Sequence, residues 1–176
     1  MTTYAILSAI GPDRPGLVDD VSHFIFQRGG NIEDSRMVNL RGQFAMMVLL
    51  GADEAAMKRL MADLPSLEKS SGLRPELRPA GAARTGESAD ARPFRLVATA
   101  MDQAGLVHRV SNLLRKFDVN IENLDTKLAA APYTGAPVFE MDMTLSIPRK
   151  TQLAELRGQL SALCDELNID WQLTAV

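Results

Sequence analysis

The sequence predicts an α+β protein built from two ferredoxin-like domains, each a four-stranded antiparallel sheet with two helices on one face. Three observations predict it. The 176-residue chain matches itself at an offset of 89 residues. Each half reads strand, helix, strand, strand, helix, strand from its hydrophobic spacing. Between the halves, Ala80 to Arg92 is rich in Ala, Gly and Ser and carries no periodicity, as a linker does. The expected organisation is therefore a first domain over 1–79, a linker over 80–92 and a second domain over 93–176. A βαββαβ order buries its apolar surfaces by laying both helices on one side of the sheet.

The repeat is densest from Asp13 to Glu33 and from Asp102 to Glu122, where nine of 21 positions are identical. Chance at ordinary residue usage gives about one or two. The shared residues open with Asp-x-x-Gly-Leu-Val and close with Asn-Ile-Glu, so more than a common helical pattern is repeated.

In the first half, Tyr4 to Ile10 is an apolar, partly β-branched run that ends at the Gly11-Pro12 breaker, which predicts a strand. Leu17, Val18, Val21, Phe24 and Ile25 fall on one helical face, and Gly29-Gly30 ends that helix. Asn31 to Leu40 and Phe44 to Leu50 read as strands around a short turn. Met57, Leu60, Met61 and Leu64 mark a second amphipathic helix. Leu73 to Arg78 closes the half; Pro75 places it at a sheet edge, because proline cannot donate to a ladder.

The second half repeats the plan. Arg95 to Ala100 is a strand, and Leu106, Val107, Val110, Leu113, Leu114 and Phe117 stripe a helix. Val119 to Leu128 is a strand, and Ala129 to Pro137 a longer loop. From Phe139 to Ile147 apolar and polar residues alternate, which predicts a strand with one wet face. Leu153, Leu156, Leu160, Leu163 and Leu167 predict a helix packed on the sheet. Ile169, Trp171, Leu173 and Ala175 alternate in a last strand. Phe44 to Leu50 is apolar on both faces, unlike its counterpart from Phe139. The first sheet's free face or edge is therefore expected to be covered by the other domain or by a second copy.

Composition narrows the function. Lys and Arg number 19 against 22 Asp and Glu, giving a net charge of −3, which argues against a direct nucleic-acid binder. Arg41 to Met46 echoes an RNA-recognition strand, but Gln43 stands where an aromatic base-stacker is needed. The Arg residues from 74 to 95 exceed the acids there by only about two, a solvated surface. The single cysteine, Cys164, excludes an internal disulfide and a cysteine metal cluster. No apolar run is long enough to span a bilayer, and the start lacks a basic leader, so the expected location is cytoplasmic. His23 and His108 occupy unmatched helix positions and read as surface residues. Ser22 and Ser111 match but lack a basic partner. The sequence therefore predicts no catalytic set, no metal and no cofactor.

The strand-to-helix turns are the best candidate sites. Asp13 is placed to accept the Gly16 N–H, and Asp102 that of Gly105. Gly16 and Gly105 permit close approach, and the helix N–H groups beyond them favour a carboxylate or other small anion. The same residues also suffice for a capped turn with no ligand. Asn31 and Asn120 follow the helices at matched places and can adopt a left-handed turn or present donor and acceptor to a polar ligand. The two features lie at opposite ends of the helix, so a ligand touching both needs two domains side by side.

Gly11 to Val18 (Gly-Pro-Asp-Arg-Pro-Gly-Leu-Val) followed by Gly29 to Ile32 (Gly-Gly-Asn-Ile) resembles the ACT domain. Two such domains in a chain of this length resemble the glycine cleavage system transcriptional repressor family. Similar first halves precede formyltetrahydrofolate deformylases and some serine phosphatases, whose catalytic domains have no counterpart in this sequence. The resemblance implies a regulatory protein that binds a small amino acid, with glycine or serine suggested. It implies ligand contacts at Asp13, Arg14, Pro15, Gly16, Leu17, Asn31 and Ile32, and at Asp102, Gln103, Ala104, Gly105, Leu106, Asn120 and Ile121. The second turn lacks the counterparts of Pro12 and Pro15, so the two sites are not equivalent. The implied output is a contact with a partner protein such as a transcription factor; a homodimer is also compatible. The competing readings are an adaptor with vestigial ligand sites and an accessory of a metabolic enzyme.

Overall fold

The computed structural model describes residues 2–81, 90–130 and 135–176. Its contacts divide the chain into two units, Met1–Ala83 and Arg84–Val176. The first holds β1 (Thr3–Pro12), α1 (Leu17–Gln27), β2 (Asn31–Leu40), β3 (Gln43–Ala52), α2 (Glu54–Ser71) and β4 (Arg74–Pro79). The second holds β5 (Ala91–Met101), α3 (Leu106–Lys116), β6 (Asn120–Ala130), β7 (Pro137–Pro148), α4 (Leu153–Leu167) and β8 (Ile169–Ala175). Each unit is one antiparallel sheet, ordered β2-β3-β1-β4 in the first and β6-β7-β5-β8 in the second. These are two ferredoxin-like α+β units.

Of the expected linker, residues 82–89 lie outside the described residues, while Ala91 and Arg92 already belong to β5. Residues 131–134 of the expected loop also lie outside them, and β6 runs on to Ala130.

The core of each unit is the face its stripes predict. Leu7, Val21, Ile25, Val48, Leu50 and Leu60 are buried in the first; Leu96, Val110, Leu114, Met143, Leu145 and Leu160 are buried in the second. β4 is an edge strand, as Pro75 requires. α2 is longer than the spacing from Met57 to Leu64 suggests, because it passes through Pro65. Pro65 is exposed, so its ring projects into solvent, and burial of Leu67 and Ser71 beyond it holds the last turns against the lost backbone bond. Cys164 is fully buried on α4 between the leucine rows.

The free faces differ as the sequence suggests. Ile6 opposes Leu49, Ser8 opposes Met47 and Ile10 opposes Ala45, which gives the first sheet an apolar free face. On the second sheet the matching positions pair Arg95 with Thr144, Val97 with Asp142 and Thr99 with Glu140. No element of the first unit covers its free face: Met47 is 58% exposed, and Ala45 and Leu49 are half-buried. The expected cover is thus not part of this unit.

Candidate functional site

The two strand-to-helix turns are near copies. Gly16 caps α1 with φ 91° and ψ −3°, and Gly105 caps α3 with φ 90° and ψ 4°. Both lie in left-handed territory that strains any residue with a Cβ, which explains the shared glycine. Each glycine carbonyl accepts the first helical bond, from Asp20 N and Arg109 N, both at 2.9 Å. Glycine offers no side-chain acceptor, so neither helix start has a side-chain cap.

The capping role expected of Asp13 is therefore corrected. Its carboxylate accepts from the Asn39 side-chain amide, and its N–H donates to Gly42 O at 2.8 Å. Asp13 thus ties the β1 end to the β2–β3 turn. Asp102 N likewise donates across the sheet end, to Pro137 O at 3.1 Å, and among the described residues no bond joins its carboxylate to the Gly105 N–H. Asn39 lies 26 residues from Asp13 with no repeat match, so no local signal marks the pair.

Arg14 and Gln103 occupy the same place and do the same thing. Arg14 pairs with Asp20 at 2.6 Å and donates to Ser70 O and Ser71 O at the end of α2. Gln103 Nε2 donates to Leu167 O at the end of α4, at 2.9 Å. Both satisfy carbonyls that a helix end leaves open, which binds the turn to the second helix of its unit. Pro15 and Ala104 are exposed. The Leu17 and Leu106 side chains are in the cores, so only their backbone N–H groups can face a ligand.

Asn31 and Asn120 open β2 and β6 and are exposed. Neither adopts a left-handed conformation; that role falls two residues earlier, on Gly29 and its match Asp118, with φ 80° and 55°. Each Asn instead donates to the Glu two residues on: Asn31 to Glu33 at 3.2 Å and Asn120 to Glu122 at 2.7 Å. The pairing register slips at both places, between Ile32 and Asp34 and between Ile121 and Asn123. Glu33 and Glu122 are thus the extra residues of two matched β-bulges, which is a structural reason for the repeated Asn-Ile-Glu. The bond from Asn120, with a second from Ser146, holds the Glu122 carboxyl below the usual glutamate range. Ile32 and Ile121 are half-buried against their cores.

Within one unit the two groups of candidate residues stay apart. The turn (Asp13 to Leu17) and the strand start (Asn31, Ile32) lie at opposite ends of α1, whose 11 residues span about 16 Å. The second unit separates Asp102 to Leu106 from Asn120 and Ile121 in the same way.

Other reactive groups are dispersed. His23 and His108 are exposed, and Ser22 and Ser111 donate to carbonyls three residues back. Burial pushes the Cys164 thiol up to about 11. Among the described residues no three His, Cys, Asp or Glu side chains gather as a metal site. No described helix is long and apolar enough to cross a membrane.

The chain holds two βαββαβ units with matched, uncapped glycine turns, and residues 3–77, within the first unit, match the ACT domain family. Over 173 residues, 98% of this chain and 90% of the relative, the sequence is 27% identical to the glycine cleavage system transcriptional repressor of Escherichia coli K12. An unknown protein from Galdieria sulphuraria superposes with a TM-score of 0.82, at 29% identity, covering 100% of this chain and 99% of that one. A protein provisionally assigned as a glycine cleavage system transcriptional repressor superposes at 0.74, with 20% identity over 100% of this chain and 98% of its own, which bears on the fold alone. The first unit is thus similar to the ACT domain, and the whole chain to the glycine cleavage system transcriptional repressor.

Proposed function

We propose that this protein is a non-catalytic sensor of a small amino acid, glycine or serine, and that it reports occupancy to a partner protein such as a transcription factor. The observation that carries the reading is the pair of uncapped helix starts behind Gly16 and Gly105. The N–H groups of the first turn point along the helix dipole toward the turn, where a carboxylate replaces the missing cap. Leu17 and Leu106 supply the first of these donors, flanked by Asp13, Arg14 and Pro15 or by Asp102, Gln103 and Ala104. Arg14 and Gln103 act by fixing the turn, since their side chains are already engaged. Asn31 with Ile32, or Asn120 with Ile121, contributes polar contacts from a neighbouring domain. Residues 1–79 and 93–176 are the two domains in this reading, with 80–92 joining them. A ligand bridging two domains favours one arrangement by its differential affinity for it, and the changed surface is the output.

Calorimetry of the full chain against each of the twenty amino acids tests this. Heat with glycine or serine, lost in the Gly16→Val or Gly105→Val variant, is expected. Because a side chain at those φ values also strains the fold, Asn31→Ala and Asn120→Ala serve as second variants, expected to weaken binding without loss of secondary structure. Absence of heat with every amino acid refutes the sensor reading. The exposed Met47, Ile10 and Tyr4 on the first sheet's free face favour a second reading, a protein adaptor indifferent to amino acids. A partner captured equally well with and without glycine and serine supports it.

A further inference from the structure

The strand registers lay out the free face of the first sheet as rows that run across β2, β3, β1 and β4. One row is Asp34, Leu49, Ile6 and Arg78, and the next is Arg36, Met47, Ser8 and Glu76. The two middle strands carry no charge in these rows. Met47 is 58% exposed there, and Ile10, opposite Ala45 in the following row, is 56% exposed. Each of the two rows has an acid at one edge and an arginine at the other, and the order reverses from one row to the next. Within the unit these groups pair along their own strands, Arg36 with Asp34 on β2 and Arg78 with Glu76 on β4. All four are exposed. β2 and β4 lie three strand spacings apart, about 14 Å, so Arg36 and Glu76 of one sheet do not meet.

This face is complementary to itself. A two-fold axis parallel to the strands, midway between β3 and β1, lays β2 over β4 of a second copy and β3 over its β1. Asp34 then faces Arg78 of the copy, and Arg36 faces its Glu76, so both rows set an acid against an arginine. The middle fits by size as well. Met47 stands over Ser8 of the copy and Ile10 over its Ala45, so the two side chains that project most each meet a small one. Sheets packed face to face, about 10 Å apart with strands within about 30°, interdigitate in this way.

We infer that the first unit forms a two-fold sandwich with a second copy of this chain through the free face of its sheet, about that axis. Burial of the exposed Met47 and Ile10 side chains drives the association, and the two-fold uses every contact twice. The edge charges set the orientation more than the affinity. The second unit supplies the contrast. Its middle strands carry Arg95, Asp142 and Glu140 where the first has Ile6, Met47 and Ala45, and Arg95 is paired with Asp142. Closing a sheet over those charges would strip them of water at a cost the pairing does not return, so that face is left out of the contact.

Sedimentation equilibrium of the full chain tests this. Wild type is expected to dimerise, and Met47→Glu to weaken the dimer at least about tenfold by setting a charge in its apolar middle. Arg36→Glu and Glu76→Arg should each weaken it about three- to tenfold, because each sets like charges face to face twice. The double variant Arg36→Glu, Glu76→Arg should recover most of that loss. These positions are exposed in the single chain, and circular dichroism checks that each variant is folded. A wild type that stays monomeric at millimolar concentration overturns the proposal, whether the face is then open or taken by another occupant. So does a dimer that Met47→Glu leaves intact, which would put the contact elsewhere. A double variant no tighter than the single ones also overturns it, since the sheets would then meet in another orientation.

Discussion

Replacing Gly105 by alanine isolates the backbone strain of the second turn. Gly105 sits at φ 90°, and a Cβ built there meets no heavy atom within 4 Å. The substitution therefore costs conformation and not packing. An L-residue in left-handed territory loses about 1–2 kcal/mol, while alanine recovers about 0.4–1 kcal/mol by restricting the unfolded chain. The net loss is about 1 kcal/mol. Trp171 is the single tryptophan of the chain and packs against the second core, so its fluorescence reports on this unit. With a urea slope of about 1 kcal/mol per molar, the Trp171 midpoint should fall by about 1 M with the slope unchanged. Gly105→Asn should fall less, because asparagine tolerates the left-handed region. A midpoint unchanged or raised in Gly105→Ala would mean that the turn relaxes to negative φ at no cost, and the conformational explanation of the shared glycine would be wrong.

Further expectations concern the core, the thiol and the bulge. Leu160→Ala removes a fully buried side chain and should destabilise the second unit by about 2–5 kcal/mol, read by the same Trp171 transition. Cys164, with its pKa raised to about 11 by burial, should resist a disulfide reagent at pH 8 in the native state and react fully in denaturant. Asn120→Ala should raise the Glu122 pKa in a carboxyl NMR titration, since the Asn120 bond is the first cause of its depression. A depressed carboxylate contributes stability that is full above its unfolded pKa and is lost as pH falls through its folded pKa. The variant's deficit should therefore appear at neutral pH and shrink on acidification below the usual glutamate range.

The fold was legible because each element states its period and its ends. Leu17, Val21, Phe24 and Ile25 announce one buried helical face, and Pro75 announces an edge. The spacing from Met57 to Leu64 marks only part of α2; burial of Leu67 and Ser71 on the sheet carries the helix past Pro65. The candidate turns were legible as places but not as roles. Asp13 looks like a cap from local sequence alone, yet Asn39, brought in from the β2–β3 turn, takes its carboxylate. The resemblance implies a ligand contact at Arg14, and its side chain is engaged by carbonyls at the end of α2 that no local pattern announces. These partners are 26 and more than 50 residues away, beyond the reach of any local pattern.

The bulges show what repetition can and cannot say. Asn31 and Asn120 invite a ligand role because both halves keep them, and each is also bonded to the Glu of a matched bulge, which is a structural reason for the recurrence. Gly16 and Gly105 recur because their φ values exclude other residues cheaply. Identity between the halves is thus first a record of shared backbone geometry. Differences at matched places show what the same backbone plan holds with another residue in a different core. Arg14 against Gln103 and Pro15 against Ala104 fall on the turns and make the two turns unequal in stiffness and charge. Ala5 against Phe94 and Phe26 against Arg115 fall together at the other end of the first unit. There the first unit has a small core residue where the second buries a ring, and an exposed ring where the second has an arginine, so the two units differ at that end in both packing and surface.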